Sequence, residues 1–124
     1  MRFVIATLTF VLACVSANAH ELTPTYPELR PSVHDGVVVT DMLLFNRRDD
    51  VDYYQIEVFD EDWNAIPFAS ESRVIELGYL ERKSFFIYFR DEDKDNVEYI
   101  CTRSKILKGD DTSVIASNIC SRVK

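Results

Sequence analysis

Three cysteines, two histidines and a run of alternating aspartates are the residues of this 124-residue chain whose types and spacing suggest chemistry. Cys101 and Cys120 are separated by 18 residues, which matches no C-x-x-C redox spacing. Only His20 and His34 are available to complete a zinc site with them. A structural disulfide is therefore the expected pairing, and in the chain-entropy picture a loop of this size adds about 3 kcal/mol. Asp91, Asp93 and Asp95 occupy the first, third and fifth places of a calcium-loop spacing. The sixth place is Asn96 where glycine is needed, and the twelfth is Thr102 where a bidentate glutamate is needed, so a solvated acidic turn is expected. No serine has an evident histidine partner and the acids gather in turns, so a non-catalytic protein is expected. Trp63, Phe85 and Phe89 read as core aromatics.

The first 19 residues set the compartment. Met1-Arg2-Phe3 gives a positive start, Phe3 to Val15 is an apolar run too short to span a bilayer, and Ala17-Asn18-Ala19 offers small residues for cleavage. Residues 1–19 are read as a secretory signal peptide, and residues 20–124 as the mature domain, periplasmic or secreted, beginning at His20. A lipid anchor on Cys14, through Val11-Leu12-Ala13-Cys14, is the rival reading. Cleavage after Ala19 removes Cys14 and leaves the even pair Cys101 and Cys120 in an oxidising compartment. It also removes one arginine and no acid, leaving 13 basic against 21 acidic residues, a net charge of −8. So acidic a surface repels phosphate backbones, and nucleic acid is not an expected partner. No other apolar stretch is long enough for a membrane span.

The elements that must position these groups are short and β-rich. His20 to Ser32, punctuated by Pro24, Pro27 and Pro31, reads as an extended edge segment, followed by a turn at His34-Asp35-Gly36. Val37 to Asn46 is apolar on both faces apart from Asp41 and reads as a central strand. Val51 to Asp60 alternates, with Tyr54, Ile56 and Val58 on one face and Tyr53, Gln55, Glu57 and Phe59 on the other. Asn64 to Phe68 runs along an edge, Arg73 to Leu77 is a short strand, and Lys83 to Arg90 is an aromatic strand. The last two strands are Val97 to Arg103 and Val114 to Val123, around the polar turn Lys108 to Ser113. If Cys101 faces Cys120, the antiparallel register is centred between Asp110 and Asp111, inside that turn. Seven short strands at regular spacing, without helical periodicity, predict one all-β domain, an immunoglobulin-like antiparallel β-sandwich of about seven strands with one disulfide. Tyr99, two residues before Cys101, has the spacing of a tyrosine corner.

Across the mature chain, this order of features resembles the N-terminal immunoglobulin-like domain of the periplasmic pilus (fimbrial) chaperones. The resemblance runs from Arg30 ahead of the turn through Val37 to Phe45, Tyr54-Gln55-Ile56-Glu57-Val58 and Lys83 to Arg90. It ends in Val114-Ile115-Ala116-Ser117-Asn118-Ile119 leading to a basic residue. It implies a protein partner, with Arg30 and Arg122 holding a client carboxylate while Ile115 and Ile119 lie on a strand that completes the client's sheet. The second domain of those chaperones has no counterpart here, and the disulfide ties the working strand to its neighbour. A structural component of a surface or virion assembly, using the same edges permanently, is the other protein-binding reading. A third follows from His20: as a mature N-terminus it offers an α-amine and an imidazole to one metal, a feature that resembles small periplasmic copper carriers. His34 and nearby acids would complete that Cu(II) site.

Overall fold

The structure is a computed structural model and describes residues 19–105 and 116–124. Eight strand segments form two antiparallel sheets: β1 (Glu21–Thr23), β2 (Arg30–Pro31), β3 (Val37–Phe45), β4 (Tyr53–Phe59), β5 (Val74–Glu76), β6 (Arg82–Arg90), β7 (Tyr99–Lys105) and β8 (Asn118–Arg122). In the first sheet β3 is central, with β1 and β2 along one side and β6 along the other. The second sheet has the order β5-β4-β7-β8. Because β1 and β2 pair with successive parts of β3, they are one interrupted strand, and the count becomes the expected seven.

Alternation decides which residues form the core. The even positions of β3 (Val38, Met42, Leu44) and β4 (Tyr54, Ile56, Val58) point inward, and the odd positions of β6 (Phe85, Ile87, Phe89) meet them. Thus the outward residues of β4 are Tyr53, Gln55, Glu57 and Phe59, as the sequence pattern indicates. The Pro-rich entry does more than run along one edge. The chain leaves β3 after Thr23, passes beside β8, where the carbonyls of Thr25 and Pro27 accept from the amides of Arg122 and Lys124, and returns to β3 at Arg30. Prolines suit this excursion, since an edge segment does not need every amide for a ladder.

The hairpin register is the one the cysteines imply: Tyr99 faces Arg122, Cys101 faces Cys120 and Arg103 faces Asn118. The disulfide forms with a Cα separation of 4.0 Å, near the ~4.5 Å of directly opposed residues that share no ladder hydrogen bonds. It lies on the outer face of its sheet, because Ile100 and Thr102 point inward. The turn Lys108 to Ser113 lies outside the described residues, as do residues 1–18.

Three expectations change. Asp91–Asn96 is a short three-ten helix rather than a plain turn. Its acids are engaged locally: Asp91 with Lys94, and Glu92 and Asp93 with Arg90. Trp63 is not a core residue; it is 54% exposed at the tip of the β4 turn, whereas Phe85 and Phe89 are buried as expected. Tyr99 faces outward and lies flat on Trp63, with ring centroids 4.1 Å apart and planes 3° from parallel, rather than forming an inward corner.

Candidate protein-binding edge

Each sheet edge can be followed residue by residue. The free side of β3 is covered by β1 and β2, and the end of β8 is covered at Arg122 by Thr25, with Pro27 taking the Lys124 amide just beyond it. On β4, β5 covers Tyr53 to Gln55, Arg73 accepts from the Ile56 amide, and Ala65 and Ile66 close the end at Phe59 and Val58. β6 differs. Tyr88 exchanges two hydrogen bonds of 2.9 Å with Ala69, and strand alternation aims the N–H and C=O of Ser84 and Phe86 at the same side. Among the described residues no strand or loop backbone pairs with Ser84 or Phe86 on that side. A nine-residue strand therefore presents part of an empty ladder.

The surroundings of this edge are partly apolar. Phe86 is 49% exposed on the outer face of the first sheet, beside Tyr88 at 6.5 Å between centroids. Val37, Leu43 and Phe45 are half-buried on the same face, with the Arg82 guanidinium 4.7 Å above the Phe45 ring. At the Ala69 end, Val37, Pro67, Phe68, Ala69 and Tyr88 help line a shallow cavity of about 200 Å³. An open ladder bordered by exposed apolar side chains is the feature that other chains add strands to.

The residues singled out from the sequence fall in separate places. Arg30 is on β2, where its guanidinium lies 2.6 Å from Asp41 and holds that carboxyl below its ordinary value. Arg122 is on β8 in the other sheet, 2.7 Å from Glu98, and this carboxylate raises its already high pKa. Each arginine has its own acid. Ile119 is half-buried and packs on the core from the inner face of β8, opposite Thr102. Ile115 lies outside the described residues.

His20 is buried, at 2% exposure. Its Nε2 is 3.0 Å from the Thr102 carbonyl and 2.8 Å from the Thr102 hydroxyl, and its Nδ1 is 3.0 Å from the Ser117 hydroxyl. Since a carbonyl only accepts, we assign the proton to Nε2, which leaves Nδ1 to accept from Ser117. Burial pushes the pKa down to about 4, with a smaller opposing effect from the Thr102 carbonyl and a further lowering from the Arg48 charge. His34 sits in the exposed turn closed by the Val37 amide and the His34 carbonyl, with Gly36 in the left-handed region. Among the described residues no three His, Cys, Asp or Glu side chains gather where they could hold a metal.

Sequence reasoning overlooked the polar knot next to His20. Asn46 is wholly buried; its amide donates to the carbonyls of Val51 (2.7 Å) and Leu77 (2.9 Å), and its oxygen accepts from the Arg48 amide and the Tyr54 hydroxyl. Its backbone is satisfied as well, by the Glu81 carbonyl and the Leu80 amide. One side chain thus ties β3, β4 and the turn leading into β6. Burial pushes the Tyr54 hydroxyl up to about 12, so it stays a donor, while its ring packs on His20 at 4.5 Å. Arg48, also buried, grips Asp50 through two hydrogen bonds, 2.9 and 2.6 Å, and lowers that carboxyl's pKa. The signal was present in the alternation: Asn46 continues the inward series Met42, Leu44, and His20 precedes inward Leu22 by two.

Fold and edge together define an immunoglobulin-like β-sandwich in which, among the described residues, β6 is the longest strand with an open edge. The chain matches no protein-family model and no curated protein.

Proposed function

We propose that this chain is an exported, non-catalytic protein-binding module that acts by strand pairing, accepting an extended segment of its partner along β6. The observation that carries this reading is the unpaired ladder at Ser84 and Phe86 on the nine-residue β6, which offers a longer open edge than the three-residue β5. Backbone hydrogen bonds would supply the generic affinity, and the apolar residues beside Phe86 would supply selectivity. The pilus-chaperone resemblance supports the same mode of binding, although it points to β8. That strand is the less suitable of the two, because Thr25 and Pro27 already take its Arg122 and Lys124 amides and Cys120 bonds it to β7.

Ser84→Pro tests the reading. It deletes an outward amide without touching a hydrogen bond to β3, a position where proline is tolerated. Partners co-purified from the native source should be lost from this variant while its circular dichroism is retained. A folded Ser84→Pro protein that keeps the same partners would exclude β6 as the binding edge.

A further inference from the structure

The charges around β6 indicate what kind of segment would fit, an inference that rests on the strand-pairing reading above. The chain carries a formal charge of −7, and most of its cations are already paired. Arg30, Arg47, Arg48, Arg90, Lys94, Arg103, Arg122 and Lys124 each lie within 4.0 Å of a carboxylate. Among the described residues, Arg73, Arg82, Lys83 and Lys105 have no carboxylate partner. Lys105 ends β7, whereas the other three lie on the β5-to-β6 stretch of chain, Arg82 with its guanidinium resting on the Phe45 ring of β3. Arg82 and Lys83 begin β6 itself, and Arg73 precedes β5, whose chain returns through the Gly78 to Glu81 turn to start β6.

Arg73 is tied to the Tyr88 end of the empty ladder through Phe68 and Ala69. Arg73 is held there by its carbonyl, which accepts from Ile56, and by its guanidinium 4.9 Å above the Phe68 ring. Phe68 directly precedes Ala69, the residue that pairs with Tyr88 and marks where the open ladder stops. The nearby acid in the turn, Glu81, is occupied by the Gly78 amide at 3.1 Å. Cations left unpaired on an acidic protein would be relieved by carboxylates arriving from outside. In water each such pair adds little alone, but neighbouring side chains on an added strand point to opposite faces and could address Arg82 on the outer face and Lys83 on the inner-facing side together.

We infer that the edge of β6 is built for an extended acidic segment, one whose backbone pairs with Ser84 and Phe86 while its carboxylates reach Arg82, Lys83 and Arg73. In that position the segment becomes the fourth strand of the β1/β2-β3-β6 sheet. Its carboxylates also disfavour pairing elsewhere on so acidic a surface, which fixes where it binds.

The test uses the chain after removal of residues 1–19 and two amidated heptapeptides, Thr-Glu-Glu-Val-Glu-Glu-Thr, which presents carboxylates to both faces of an added strand, and its Lys-for-Glu counterpart. Amide hydrogen exchange by NMR locates binding and titration measures it. The acidic peptide should slow exchange at Ser84 and Phe86, bind at least tenfold more tightly than the basic one, and weaken as salt rises. Arg82→Glu/Lys83→Glu should lose at least tenfold for the acidic peptide and gain for the basic one. If both peptides protect Ser84 and Phe86 equally, strand pairing stands and the acidic preference is overturned. If neither protects those amides, the strand-pairing reading itself fails. Protection at other strands would overturn the assignment to β6.

Discussion

Acidification should weaken this fold through one histidine, at a pH above that at which the stabilised carboxylates of Asp41, Asp50 and Asp60 are discharged. His20 is neutral in the folded chain, with a pKa near 4, against 6.5 for an exposed imidazole. Between these values the unfolded chain binds a proton that the folded chain does not. The stabilising contribution is therefore complete above about pH 6.5 and is lost as pH falls from 6.5 toward 4. One pKa unit corresponds to about 1.36 kcal/mol, so a shift of this size has a ceiling of roughly 3 kcal/mol. Since the Thr102 carbonyl opposes part of the burial effect and the ring can relax when it is protonated, we expect about 2 kcal/mol. Asp41, Asp50 and Asp60 have lowered pKa values, so their contributions are retained above the ordinary carboxylate range and fail only at lower pH. Urea unfolding followed by circular dichroism at pH 7.0, 6.0, 5.0 and 4.5 measures the effect. His20→Gln, which offers a donor and an acceptor but no titration, should start less stable and show a flatter profile. If the native protein is equally stable at pH 7.0 and 4.5, or if His20→Gln keeps the same slope, the burial argument for His20 is wrong.

Other perturbations have calculable sizes. Asn46→Leu should lower stability by about 3 kcal/mol or more, because the carbonyls of Val51 and Leu77 and the Tyr54 hydroxyl lose their partner inside the core; chemical denaturation reads this directly, and a loss under 1 kcal/mol would mean that water replaces the amide. Cys101→Ser/Cys120→Ser should cost about 3 kcal/mol or more, because the cross-link is lost and the wholly buried Cys101 becomes a hydroxyl, while the far-ultraviolet spectrum stays unchanged since the β7–β8 ladder does not depend on the bond. Trp63 occupies the left-handed region at φ 64°, so Trp63→Gly should be about 1 kcal/mol more stable than Trp63→Ala, both having lost the Tyr99 stack; the reverse order by thermal melting would show that the turn relaxes in the variants.

The strands could be read from the sequence because their apolar residues alternate and their turns are rich in Asp, Asn and Gly. Tyr54, Ile56 and Val58 show the principle, and the two cysteines added a register that no propensity supplies. The open edge was much harder to read. Whether β6 has a neighbour depends on where Asn64 to Ser72 travels, and that segment pairs with β4 at Ala65 and with β6 only at Ala69. Such a path is set by tertiary packing between two sheets, which local pattern does not encode. The candidate arginines show a similar gap: sequence identified Arg30 and Arg122 as cations but gave no view of Asp41 and Glu98 beside them. Trp63 was misplaced because size and apolarity favour burial, whereas the Asp60 turn holds it outside: the Asp60 carboxylate accepts from the Asp62 and Asn64 amides.

The bond between Cys101 and Cys120 also affects how the chain responds to cutting. Any single backbone cleavage between these residues leaves the two fragments covalently joined, with β8 still tethered beside β7. A protease that enters the connection between the two strands would therefore not release the last strand. The nicked product would migrate as one species until a reductant separated it into two. The same tether makes this connection the place where a foreign peptide could be inserted at least cost, because strand register is held by sulfur rather than by loop length.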